Sequence, residues 1–247
     1  MTRRHIRSLS LCALVLALGC RPQADTSAPE APQTGSHGQA MTLEQLAASA
    51  VLLPGLGEHQ RLVSTRSASA QTFFDQGLRL LYAFNHDEAT RSFAKAAAID
   101  PECAMCFWGV ALTLGPNYNV PMLADRAGLA WEALEAAAAH ASTGTPEEQA
   151  LIGALTYRYA GPEPRDPAAM QPLTEAYAQA MRRVARQFPN DMDVQVLFAE
   201  AMMDRNPWHL WSLDGMPEPG TEEIVATLER VLKRAPEHPG ANHYYIH

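Results

Sequence analysis

The stretch that most limits what this chain can fold into is residues 73–107, FFDQGLRLLYAFNHDEATRSFAKAAAIDPECAMCF, which reads as two helices joined by a tight turn and the start of a third. Phe73, Gly77 and Leu80 fall on one helix, and Ala89, Phe93 and Ala96 on the next, with Pro101 beyond it. Gly77 and Ala89 are small where two antiparallel helices must approach closely, and Phe93 fills the space beside them. Pro101 cannot continue the preceding helix but suits the first turn of the following one. A single hairpin of this kind cannot bury its apolar face alone, so it implies stacked neighbours.

Helical punctuation recurs along the rest of the chain. Thr42 with Gln45 has the form of a capping box, and Pro54, Gly55 and Gly57 stop the helix it opens. A helix is expected over 67–84, with Asn85, His86 and Asp87 as its turn. Asp100 is expected to cap the third helix, with Pro101 at its first position, and that helix runs through Trp108 and Leu112 to Gly115 and Pro116. A further helix is expected over 122–140, and Thr145, Pro146, Glu147 and Glu148 open the next, which ends at Gly161 and Pro162. Tyr177, Met181, Val184 and Pro189 repeat the spacing of Ala89, Phe93, Ala96 and Pro101, and Ile224, Leu228, Val231 and Pro236 repeat it again. Asp191 caps a helix through Leu197 and Met203. Two loops, 115–121 and 206–220, are longer than the tight turns between the other helices. No stretch alternates like a strand, so the expected fold is all-α. The hairpin pattern resembles the tetratricopeptide (TPR) repeat and implies a TPR-like solenoid over 42–247. The apolar end at Tyr244, Tyr245 and Ile246 implies continuation beyond His247, because solenoids end in a polar cap.

The first residues read as targeting rather than fold. Arg3, Arg4 and Arg7 precede an apolar run over 9–18, which ends with Gly19 before Cys20. This resembles a bacterial lipoprotein signal over 1–19, which implies lipidation at Cys20; ordinary secretion with cleavage nearby is the alternative. Arg21 follows the cysteine where such lipoproteins carry Asp to avoid the outer membrane, so the resemblance implies an outer-membrane anchor facing the periplasm. Residues 20–41 are rich in Pro, Ser, Thr, Gly, Ala and Gln and read as a flexible tether. The chain carries 19 basic and 27 acidic residues, and removal of 1–19 takes three of the basic ones, leaving 16 against 27 and a net charge of −11. An acidic domain without a basic stripe argues against nucleic acid and against electrostatic membrane docking. Membrane association is then expected through the N-terminal lipid only.

With Cys12 lost and Cys20 lipidated, Cys103 and Cys106 remain in an oxidising compartment. They form a CxxC at the start of a helix, which fits a short structural disulfide, two small packed residues, or a thiol-redox or metal site. No His follows Cys106, which excludes c-type haem attachment. The run from Cys103 through Trp108, Gly109 and Ala111 to Gly115, Pro116, Asn117 and Asn119, with the closing NHYYIH of 242–247, resembles a family of bacterial TPR lipoproteins. That resemblance covers most of residues 70–247. It implies the fold and a cell-envelope location, and carries no assigned reaction.

Phe74, Trp108 and Leu112 fall where a TPR lines its concave groove, and are candidates for peptide contact or for packing between helices. Asn117, Asn119, Trp208, His209 and Trp211 lie in the two long loops, which at that length are candidates for ligand contact or for pinning the loops down. His243 and His247 are four apart and share a helix face, a spacing that lets two imidazoles hold one Zn²⁺ or Cu²⁺. His238, His86 and His209 are the candidate further ligands. There is no GxSxG, HExxH or phosphate-binding glycine loop, so no hydrolytic centre is expected. The expected function is a protein- or peptide-binding scaffold at the cell envelope; the alternative is a metal-binding or thiol-redox envelope protein.

Overall fold

The computed structural model describes residues 42–247, and the expected lipidation site Cys20, the expected signal over 1–19 and the expected tether over 20–41 lie outside them. The described residues form ten α-helices, and the fold is all-α: α1 (Leu43–Ser49), α2 (Ala68–Tyr82), α3 (His86–Ile99), α4 (Ala104–Leu114), α5 (Ala127–His140), α6 (Pro146–Leu155), α7 (Pro167–Gln187), α8 (Met192–Met203), α9 (Thr221–Arg234) and α10 (Pro239–Ile246). Short side-chain caps set most of the starts. Thr42 and Gln45 make a reciprocal capping box at α1, as do Thr145 and Glu148 at α6, while Ser67 caps α2 and Asp191 caps α8.

Some boundaries differ from the sequence expectation. His86 opens α3 rather than sitting in the turn, because Asn85 is the cap and accepts from the Glu88 amide. The turn falls at Phe84, whose φ of 54° is left-handed. Asp100 and Pro101 do not start α4. Cys103 caps it, its Sγ accepting from the Cys106 amide at 3.2 Å, and the two cysteines are joined by a disulfide. Asp100 is engaged elsewhere, accepting from the Thr65 hydroxyl and the Arg66 and Glu102 amides. α5 begins only at Ala127, since residues 121–126 run as irregular backbone behind Pro121, and α6 tightens after Leu155 into a 3₁₀ turn ending at Arg158.

Consecutive helices pack on one another from α2 to α5 and from α6 to α10. Phe93 of α3 is wedged between α2 and α4. A Cβ at Gly77 would lie 2.7 Å from its ring and one at Gly109 2.4 Å, so both glycines are required by this one aromatic side chain. Every residue of α4 except Phe107 is buried, as is every residue of α8 after Met192. α10 returns to contact α2 and α8, so the helical array curls until its last helix meets its first hairpin. Gly240 permits that contact: a Cβ there would meet the Tyr82 ring at 2.5 Å.

Residues 50–66 run as an extended strap along α2. Side chains spaced along the helix hold its backbone: Gln76 accepts from the Leu53 amide and donates to the Val51 carbonyl, both at 2.8 Å, Asp75 accepts from the Arg61 amide at 3.1 Å, and Gln71 accepts from the Val63 amide and donates to the Arg61 carbonyl. Leu56 and Val63 pack on the core. Further along, the Ser64 amide donates to Glu148 and the strap thereby reaches α6.

The strap is locked to α8 and α10 by a hydrogen-bond hub. Arg61 donates to both oxygens of Asp191 at 2.8 Å and to Asp193 Oδ2 at 3.3 Å. Asp193 Oδ1 faces His59 Nε2 at 2.9 Å, His238 Nε2 at 3.2 Å and the Tyr82 hydroxyl at 2.7 Å. Burial alone would raise the Asp193 carboxyl, but hydrogen bonds from His238 and His59 and the charge of Arg61 hold it well below the usual carboxylate range. Asp193→Asn puts an amide among donors that need an acceptor, and is expected to cost about 1–3 kcal/mol. Backbone amides of residues 51–66 should then exchange with solvent faster than in the wild type, while those of α4 keep their order of protection. Unchanged exchange in the strap would show that this hub does not hold it.

Candidate functional site at the meeting of the two long loops

Each long loop is shaped by its own local bonds. In the first, Asn117 Oδ1 accepts from the Asn119 and Val120 amides at 2.9 and 3.0 Å, and the Asn117 amide donates to the Val120 carbonyl. In the second, Glu218 donates to the Leu210 carbonyl and Ser212 to that of Met216, both at 2.9 Å, which makes a small hairpin with left-handed Gly215 at its tip and Gly220 at its exit. The loops meet through aromatic rings: Tyr118 lies 5.2 Å from Trp208. His247 of α10's end joins both, 5.1 Å from Tyr118 and 5.5 Å from Trp208. Phe84 lies behind, 4.7 Å from His243, 5.0 Å from Tyr244, and stacked on His86 at 5.7 Å.

Beside this cluster opens a pocket of about 250 Å³. Its walls come from both loops and from α7, with Met122, Met170 and Pro207 apolar, Asn117 and Asn119 polar, and Asp204 among the lining residues. Behind Asp204 lies a charged cluster enclosed in the core. Arg158, 1% exposed, donates to Asp204 Oδ2 and to the Pro116 carbonyl, and lies 4.7 Å over the ring of Tyr177. Glu200, one turn before Asp204 on the same helix line, is 3% exposed. Burial raises both carboxyls. Repulsion by Glu200 pushes Asp204 higher still, well above the usual range; Arg158 opposes the rise in each, and a hydrogen bond between the two carboxyls lowers Glu200 and raises Asp204. Several buried polar atoms here have no hydrogen-bond partner among the described residues: Asp204 Oδ1, Arg158 Nε, the Tyr244 hydroxyl and both ring nitrogens of His86.

The loop residues Asn117, Asn119 and Trp208 come together at this site. Trp211 sits half-exposed on the hairpin, bridged to Pro217, and His209 is exposed on the same loop. Phe74, Trp108 and Leu112 do not line an open groove. All three are buried core residues, because Phe93 packs against Phe74 at 5.3 Å, α3 and α5 enclose α4, and the chain's own strap runs along α2.

The histidines separate into two places. His243 and His247 lie 5.2 Å apart on α10, and His243 Nδ1 donates to the Tyr82 carbonyl at 2.6 Å, leaving Nε2 as its free nitrogen. His86 reaches the same aromatic cluster through Phe84. His238 instead belongs to the Asp193 hub. His59, Asp193 and His238 are the group of three whose ligand-type atoms lie within 4.8 Å of one another among the described residues. That hub carries Arg61 beside it, and His238 Nδ1 accepts from the Ala241 amide at 3.3 Å, which fixes the proton on Nε2 where it donates to Asp193. Within the hub Arg61 Nε is buried without a partner among the described residues.

Sequence reasoning missed Arg158, Glu200, Asp204 and Tyr244, although Glu200 and Asp204 stood out as two acids one turn apart in the apolar run VLFAEAMMD. Comparison with protein-family models, with curated proteins and with solved structures finds no match to this chain.

Proposed function

We propose that residues 42–247 form a TPR-like helical scaffold, anchored in the cell envelope by lipid on Cys20, that captures a segment of a partner protein in the pocket between its two long loops. The observation that carries this reading is backbone strain at one place. Phe84 and Trp208 are the two non-glycine residues with left-handed backbone among the described residues, and both belong to the aromatic cluster beside the pocket. Bulky residues avoid this conformation; Phe84 takes it in the turn that ends α2 and Trp208 in the Asn206–His209 turn, and residues held this way cluster at functional sites. The strain turns Trp208 outward at 62% exposure, where a core-forming tryptophan would be covered. An exposed aromatic anchor beside a largely apolar pocket suits capture of a peptide segment. The excess of acidic residues argues for a protein partner rather than nucleic acid.

The test is selection of a random peptide display library on the mature chain, followed by calorimetry of the enriched peptides. Trp208→Ala is expected to weaken them at least about tenfold, since central aromatic anchors contribute roughly 2 kcal/mol or more. The melting temperature should hold, because the side chain is mostly in water. A library that yields no enriched peptide, or peptides that bind the variant as tightly, would remove the reading.

A further inference from the structure

We propose that the pocket recognises a basic side chain of the partner, whose ammonium or guanidinium head is held by the Asp204 carboxyl with Glu200 behind it; this rests on the reading of the pocket as the partner site. The core around Asp204 encloses two carboxyls and one guanidinium: Glu200 at 3% exposure, Asp204 at 7% and Arg158 at 1%. Arg158 offsets one negative charge. The second carboxyl has no cationic partner. From the other elements packed on this cluster, α7 contributes Tyr177, the segment after α6 contributes Tyr159, and α10 contributes Tyr244, all neutral phenols that burial makes still harder to ionise. His86 from α3 is neutral at pH 7, its imidazole held down to about 4 by burial and then by Arg158. Arg165 is at the pocket's edge but is exposed, where water screens its charge.

Two carboxyls and one cation in a dry place keep one proton between them. An incoming cation supplies the charge that proton now supplies. The acid O–H ionises, the proton leaves to solvent, and the buried cluster ends with two carboxylates facing two cations. The acceptor for the incoming N–H group is available. Asp204 lines the pocket and its Oδ2 is taken by Arg158, while the hydrogen bond it shares with Glu200 ends when the shared proton leaves, which frees an acceptor at Oδ1, an atom with no other partner. The Tyr244 hydroxyl, also without a partner, lies close enough to feel both carboxyls.

The walls fit the rest of such a side chain. Met122, Met170 and Pro207 offer apolar surface to a methylene stem. The volume of about 250 Å³ falls below the roughly 300–1,000 Å³ of sites for drug-sized ligands and suits one long side chain.

The test uses two probes of nearly equal shape, Nα-acetyl-lysine methylamide and its uncharged counterpart Nα-acetyl-norleucine methylamide, titrated into the mature chain at pH 7 in two buffers of different ionisation enthalpy. The lysine probe is expected to bind at least about tenfold more tightly and to release about one proton per molecule bound. Asp204→Asn and, separately, Glu200→Gln should each abolish the proton release and the preference for lysine. Near-UV circular dichroism identifies a variant that fails to fold, and the other variant then decides. Equal binding of the two probes, or lysine binding without proton release, overturns the inference. Enriched peptides that need Trp208 but share no Lys or Arg position overturn it too and leave the peptide-capture reading standing. Lysine binding with proton release, with no enriched peptide, sustains the pocket chemistry and removes peptide capture.

Discussion

Trp108→Ala is expected to destabilise the fold by about 3–5 kcal/mol, the range for removing a large buried aromatic. Trp108 is among the largest fully buried side chains, on a helix whose faces are covered by α3 on one side and α5 on the other. The gap it leaves cannot close easily. Its neighbour Gly109 already presses on the Phe93 ring, and Phe93 in turn bears on Gly77 of α2, so α4 has no room to shift toward α3. Domains of this size are stable by roughly 5–15 kcal/mol, so the change removes a large part of the whole. Urea denaturation followed by far-ultraviolet circular dichroism measures it as a lower midpoint with little change in slope. Exposed Trp208→Ala is the control and should leave the midpoint near that of the wild type. A Trp108→Ala protein as stable as the wild type would return Trp108 to an accessible surface.

Acidification should weaken the fold by about 3 kcal/mol between pH 7 and pH 4 through His86 alone. In the unfolded chain this histidine titrates near 6.5, and in the folded chain near 4, held down by burial first and by the charge of Arg158 second. Between those values the unfolded chain binds a proton that the folded chain refuses. Stability therefore rises with pH across the interval and is lost as pH falls through it. The shift of about 2.5 units corresponds to about 3 kcal/mol at roughly 1.4 kcal/mol per unit. His86 is 9% exposed, so water screens little of this. Asp193 acts in a separate window: its folded carboxyl is held below the ordinary range, so its contribution is present at pH 4 and is lost below that. His86→Leu should flatten the change between pH 7 and pH 4. It should also stabilise at pH 7, because both ring nitrogens are buried without partners. Equal pH dependence of wild type and variant, measured by urea denaturation at the two pH values, would place the titrating group elsewhere.

What was legible in the sequence is what is decided within a few residues. Thr42 with Gln45, Thr145 with Glu148, Ser67 and Asp191 all cap the helices that their local patterns imply, because a cap is a bond spanning three residues. The start of α4 was not legible. Asp-Pro has the form of a helix opening, but Asp100 gives its carboxylate to Thr65 and Arg66, which lie more than thirty residues earlier. The covered α2 surface was illegible for the same reason. The strap has no periodicity, and its bonds to Gln71, Asp75 and Gln76 exist only once the chain has folded back. The candidate site was legible as two loops of unusual length, with Asn117, Asn119 and Trp208 in them. That Glu200 and Asp204 would meet Arg158 depends on the turn after α6 reaching the end of α8, 46 residues later, which no local signal carries.

A captured segment should sit in the pocket between the two long loops. The direct measurement is a crystal structure of the mature chain with a peptide enriched by selection. The peptide is expected between the two long loops, against Trp208, with a basic side chain reaching Asp204 and with residues 50–66 still lying along α2. A peptide lying along α2 in place of residues 50–66, with the loop pocket empty, would contradict the account.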